Sequence, residues 1–96
     1  MVKYKLYLYT IGMDPSADVP LVRQLREGLD SVLSGDYSLD MVDVAKDPES
    51  AANEGVLFTP TLLRVHPEPK KRVIGNFQDK ERVMQAILFL CSMEAA

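Results

Sequence analysis

Residues 4–11 read Tyr-Lys-Leu-Tyr-Leu-Tyr-Thr-Ile, a run dense in aromatic and β-branched side chains and largely apolar on both faces. A strand of that pattern belongs at the centre of a sheet, because an edge or one-sided strand would alternate with polar residues. Residues 12–17, Gly-Met-Asp-Pro-Ser-Ala, are turn formers, and Ser16 or Asp18 can cap a following helix whose first turn accommodates Pro20. Val22, Leu25, Leu29, Val32 and Leu33 then recur at helical spacing, with Arg23, Gln24, Arg26, Glu27 and Asp30 on the other side and Gly35 as the stop. Residues 37–44 return to strand character, with Leu39 and Met41 on one face and Val42 and Val44 on the other. A helix between two strands makes them parallel and joins them by a right-handed crossover.

Asp47-Pro48-Glu49 is a compact helix start: a capping carboxylate, a proline at the first helical position and an acid in the first turn. That helix is short and ends by Gly55. Residues 61–66 follow Pro60 as a third strand, residues 67–70 turn, and residues 71–74 return as a fourth, an antiparallel hairpin. The last element, from Gln78 or Asp79 to Met93, carries Val83, Met84, Ile87, Leu88, Leu90 and Cys91 on a broad apolar face opposite Lys80, Glu81, Arg82 and Gln85. The apolar run 87–91 is wider than one core-facing stripe needs; core packing explains it more simply than a dimer or partner contact. The order is β-α-β-α-β-β-α, an α/β fold with a mixed four-stranded sheet and three helices, and 96 residues at 47% hydrophobic content suit one domain spanning 1–96.

Charge and cysteine usage narrow the function. A formal net charge of −3 with 26% charged residues argues against a polybasic nucleic-acid or membrane surface, which leaves proteins as the expected partners. Tyr4, Tyr7 and Tyr9 invite a base-stacking reading, but the strand supplies only Lys3 and Lys5 as cations. The longest apolar run, 86–91, is far short of the roughly 20 residues that span a bilayer, and the N-terminus lacks the pattern of a signal peptide. One cysteine, Cys91, cannot form an internal disulfide, so the cytoplasm is the expected compartment.

Few residues carry chemistry. Lys70, Lys71 and Arg72 with Arg64 form a basic patch on the hairpin, either a solvated turn or a contact for an acidic partner. His66 has no second ligand at metal spacing, and Cys91 reads as a small hydrophobe inside an apolar stripe. Asp14, Asp18, Asp40 and Asp43 are scattered, without a base–nucleophile pair or a phosphate-cradling loop. No catalysis and no cofactor are expected.

Phe58-Thr59-Pro60-Thr61-Leu62, the hairpin, Ile74-Gly75 and the closing helix resemble the C-terminal half of the thioredoxin superfamily. That resemblance implies a cis Thr59–Pro60 bond, with Pro60 as the structural cis-proline. The loop at 12–18 departs from it: where a Cys-X-X-Cys would sit there is no cysteine, hence no thiolate for disulfide exchange. More specifically, the chain is similar to the KaiB family. Leu6-Tyr7-Leu8-Tyr9, Gly12, Pro15, Tyr37-Ser38-Leu39, Val42-Asp43-Val44, Asp47-Pro48, Thr59-Pro60-Thr61-Leu62, Pro67, Pro69, Arg72, Ile74-Gly75 and the run at 79–83 carry the likeness along most of the chain.

The resemblance implies a non-catalytic protein that docks on the KaiC ATPase ring, with a KaiC-like ATPase or a related clock or signalling protein as partner and a homo-oligomer as a further option. Arg23 and Arg26 on the first helix, with Arg64, Lys70, Lys71 and Arg72, are the expected partner-binding residues. The family also refolds its C-terminal half between a tetrameric state and a thioredoxin-like binding state. Here Ala86 and Leu88 replace the Gly and Asp that weaken the family's last helix. Alanine for glycine favours a helix interior by roughly 1 kcal/mol, and loss of a buried or near-buried acid adds to it, so the thioredoxin-like arrangement is the expected resting state. Two further readings stand beside this one: a signal-input module like the SasA sensory domain, and a glutaredoxin- or transferase-like enzyme that would have to rely on Ser16.

Overall fold

Strand β1 (Tyr4–Thr10) is an interior strand of the sheet, flanked on one side by the parallel strand β2 (Tyr37–Asp43) and on the other by the antiparallel strand β3 (Thr61–His66). Strand β4 (Lys71–Ile74) pairs antiparallel with β3 and closes the order β2-β1-β3-β4. The computed structural model describes residues 3–12, 20–75, 77 and 79–91. Helix α1 (Pro20–Leu33) links β1 to β2, α2 (Pro48–Asn53) links β2 to β3, and α3 (Lys80–Leu90) follows the hairpin. The observed order is the expected β-α-β-α-β-β-α of a thioredoxin-like fold. Ser16 and Asp18, the candidate caps of α1, lie outside the described residues.

The two faces of β1 explain its composition. Leu6 and Leu8 face one core, closed by Leu25 and Leu29 of α1, Leu39, Leu62, and Val83, Ile87 and Leu90 of α3. Tyr9 faces the other with Leu63 and Ala51 of α2, while Tyr7, Val42, Val44, Val56 and Val65 pack around it. Met41 joins the first cluster and Val44 the second, so the strand alternation read in β2 is the alternation in the fold.

Local chemistry sets the helix starts. Asp47 accepts a hydrogen bond from the Ser50 N–H at 3.1 Å at the head of α2, with Pro48 in the first turn, and Asp79 accepts from the Arg82 N–H at 2.9 Å at the head of α3. These carboxylates satisfy N–H groups that a helix start leaves open. Asp79→Ala is expected to lower stability by about 1 kcal/mol. Urea denaturation checks this: the midpoint should fall while the slope stays constant.

Helix α3 is shorter than its apolar pattern suggests. Regular structure stops at Leu90 with Cys91 as the C-cap, and Met93 lies outside the described residues. Leu88, read as part of the core-facing stripe, is instead 53% exposed, and Phe89 is 52% exposed. At 3.6 residues per turn, Val83, Ala86, Ile87 and Leu90 already fill the face toward the sheet, which turns Leu88 and Phe89 outward. An acid at position 88 would therefore be solvated, and the strengthening of α3 rests on Ala86 alone.

Candidate docking surface

In thioredoxin-like folds the loop after the first strand meets the proline loop before the third; among the described residues, the end of β1 with Ile11 and Gly12 forms one side of that junction and residues 56–60 the other. The C-terminal end of β1 lies beside the start of β3, with Tyr9 opposite Thr61, and Ile74 of β4 sits opposite Thr61 on its other side. The Thr59–Pro60 peptide is cis, as are His66–Pro67 and Glu68–Pro69. Hydrogen bonds anchor each side separately: Val44 N–H to Thr10 O at 2.8 Å and Gly12 N–H to Asp43 Oδ1 at 3.4 Å tie the end of β1 to β2, while Gly75 N–H to Pro60 O at 2.8 Å and the Thr61 hydroxyl to Phe58 O at 2.6 Å fix the proline segment. Asp43 also accepts from the Ala45 N–H, so this carboxylate is occupied with fixing backbone.

What the junction presents is apolar. Ile11 is 63% exposed, Phe58 62% and Leu57 83%. Large exposed hydrophobes gathered on anchored loops are the signature of a contact surface, since each costs free energy in water and none is needed to close the core. Sequence reasoning passed over these three residues. The signal was there: Leu57 and Phe58 stand between Gly55 and Pro60, outside any periodic element that would bury them.

Thiol chemistry is remote from this surface. Cys91 closes α3, where its carbonyl accepts from the Tyr4 hydroxyl at 3.4 Å, and Tyr4 begins β1. The seven-residue strand, rising roughly 3.3 Å per residue, separates Cys91 from the junction by about 20 Å. Burial pushes the Cys91 thiol up from its ordinary value, only partly countered by Arg64, so it stays protonated at neutral pH. Ser16 lies outside the described residues. Among the described residues, no group of three or more His, Cys, Asp or Glu is placed to hold a metal ion, and no helix is long and apolar enough to cross a membrane.

The six basic residues expected to meet a partner do not form one patch. Arg23 and Arg26 are exposed on α1, and Arg26 donates to Leu39 O at 3.3 Å, which places it over the β2 side of the sheet. Lys70, Lys71 and Arg72 lie at the opposite edge, three strand spacings or about 14 Å away. Lys70 pairs with Glu54 at 2.9 Å, Arg72 donates to Gly55 O at 3.1 Å, and the Lys71 ammonium sits 5.0 Å from the centre of the Phe89 ring. Arg64 is not a surface residue. It is 1% exposed, and its guanidinium donates at 2.6 Å to Leu90 O at the end of α3 and at 2.6 Å to Pro69 O in the hairpin turn. The strand alternation explains the correction: Arg64 lies on the face that α3 covers, where a guanidinium can satisfy a helix end.

Comparison with known proteins agrees with this geometry. A family model described as KaiB domain matches residues 7–88. The circadian clock oscillator protein KaiB of Prochlorococcus marinus strain NATL2A is 40% identical over 81 residues, covering 84% of this chain and 75% of that protein. The KaiB of Acaryochloris marina is also 40% identical, over 84% of this chain and 77% of its own. Among solved structures, the N-terminal domain of Synechococcus elongatus SasA superposes with a TM-score of 0.61 at 14% identity, covering 100% of this chain and 91% of that one. Oxidised thioredoxin O2 from Arabidopsis thaliana gives 0.63 at 17% identity over 92% and 74%. The structural likenesses speak to the fold, and with the family match over most of its length the chain belongs to the KaiB family.

Proposed function

We propose that residues 1–96 act as one KaiB-like thioredoxin-fold domain, a non-catalytic regulator in the cytoplasm that docks on a KaiC-like ATPase and modulates circadian timing or stress-adaptation signalling. The observation that carries this reading is the junction itself: a thioredoxin-like scaffold whose loops offer Ile11, Leu57 and Phe58 to solvent where an exchange thiol would otherwise act. Apolar side chains on hydrogen-bonded loops supply buried area on contact and little ordering cost. Arg23 and Arg26 on one flank, and Lys70, Lys71 and Arg72 on the other, act as the charged rim that orients the partner.

A pull-down with a KaiC-family ATPase and ATP tests the proposal. Retention of the wild-type chain is expected, and Phe58→Glu should weaken it by at least tenfold, about 1.4 kcal/mol, by placing a charge at the centre of the contact. Arg23→Glu should slow association and make it less sensitive to salt, because there is less attraction left to screen. Failure of the wild-type chain to bind any such ATPase defeats the reading. A second reading, a sensory or adaptor module of a two-component system, is favoured by the superposition on the SasA N-terminal domain along this chain's full length. Binding to a histidine kinase without binding to the ATPase would select it.

A further inference from the structure

The free edge of the sheet carries a second surface. Gly75 N–H donates to Pro60 O, so Gly75 and Pro60 form a hydrogen-bonded antiparallel pair. Hydrogen-bonded and non-bonded pairs alternate, which makes Leu62–Val73 and Arg64–Lys71 bonded pairs as well. The N–H and C=O groups of Arg72 and Ile74 are thereby directed away from β3, toward the edge. Beside that edge runs an open groove of about 270 Å³ whose lining includes Val73, Ile74, Gly75, Arg82, Ala86 and Phe89; by strand alternation the Ile74 side chain, 53% exposed, projects from the face opposite Val73.

Charged residues on an edge strand ordinarily discourage pairing. Here they are drawn back onto the body of the protein: Arg72 reaches Gly55 O, Lys70 reaches Glu54, and Lys71 lies over Phe89. They leave the backbone edge approachable and its surroundings positive. Arg82 adds a cation across the groove; its 3.8 Å approach to Asp79, between side chains 53% and 60% exposed, is a weak tie. Within a chain of net charge −3, the edge strand and the residue before it carry three consecutive cations, with no acid from there to Gly75.

We propose that β4 accepts an extended acidic segment of another protein as a fifth strand, with its apolar side chains alternating between the Phe89 groove and Ile74 and its carboxylates facing Lys71, Arg72 and Arg82. Strand addition takes affinity from main-chain hydrogen bonds and selectivity from alternate side chains. A second copy of this chain is a poor occupant, because antiparallel β4–β4 pairing sets the basic run against itself.

The test uses the full chain and a fluorescein-labelled peptide in which Glu-Glu pairs alternate with Val-Phe pairs, so that each face carries both, beside the same peptide with Lys for Glu and an acidic peptide N-methylated at alternate residues. Saturable binding of the acidic peptide alone is expected by anisotropy, with amide shifts and slowed exchange at Arg72 and Ile74. Ile74→Pro removes an edge donor that β3 does not use and is compatible with an edge strand; it should weaken binding by about tenfold. Arg82→Glu, on an exposed helix position, should do so by about fivefold with the thermal midpoint unchanged. Equal binding of the basic or N-methylated peptide, shifts confined to another surface, or wild-type affinity in Arg82→Glu would overturn the proposal, and so would self-association through β4 in sedimentation. Because no ATPase enters the measurement, a failed pull-down leaves this inference standing, and a failed peptide titration leaves the ATPase reading standing.

Discussion

Replacing Arg64 by alanine is expected to lower the free energy of unfolding by about 3 kcal/mol. The guanidinium is 1% exposed and bonds two carbonyls from separate elements, Leu90 at the end of α3 and Pro69 in the hairpin turn, each at 2.6 Å. Hydrogen bonds to a charged donor contribute about 1.5–3 kcal/mol each, and truncation leaves both acceptors without that donor while opening a void beside α3. For a domain of this size the loss corresponds to roughly 15 °C in thermal midpoint. Arg64→Lys should recover less than half of it, since one ammonium cannot reproduce the planar fork that reaches both carbonyls. A loss below about 1 kcal/mol for alanine would mean that the tie between α3 and the hairpin is not structural.

The second large effect is expected at Gly28, where α1 packs closely against α3. A Cβ added there would lie 2.5 Å from Ile87 Cδ1, inside any real contact distance, and Ile87 is fully buried. Gly28→Val should therefore cost about 2–3 kcal/mol by overpacking. Gly28→Ala should be near neutral, because the roughly 1 kcal/mol gained in helix propensity is offset by displacing that one methyl. Ile87→Val removes the obstructing Cδ1, so the pair Gly28→Ala with Ile87→Val should exceed additivity by about 1 kcal/mol in a double-mutant cycle of urea midpoints. Strict additivity would show that the helices part rather than collide.

The order of elements was legible because it is written in local periodicity. Residues 61–66 and 71–74 came out with their observed boundaries, and Asp47 caps α2 as its position suggested, whereas Asp79, read only as a possible first residue of the last helix, is its cap. The C-terminal half also takes the thioredoxin-like order read from the unbroken pattern around Ala86. The extent of α3 was less clear: an apolar run at 87–91 looks the same whether it is core or surface, and only the position of the sheet leaves Leu88 and Phe89 outside.

The docking surface shows the same division. Absence of a cysteine from residues 12–18 is a property of the chain, and it removes thiol exchange from that loop before any folding is considered. Local pattern likewise suffices for strands, helices and their caps, since those depend on neighbours a few residues away. The fate of the cations depended instead on contacts between residues far apart. Arg64 reads like Lys70 along the chain, yet a crossing 26 residues distant puts it under the end of α3, while Lys70 stays in solvent with Glu54. Burial is set by what packs across an element, and that information resides in the assembled layers.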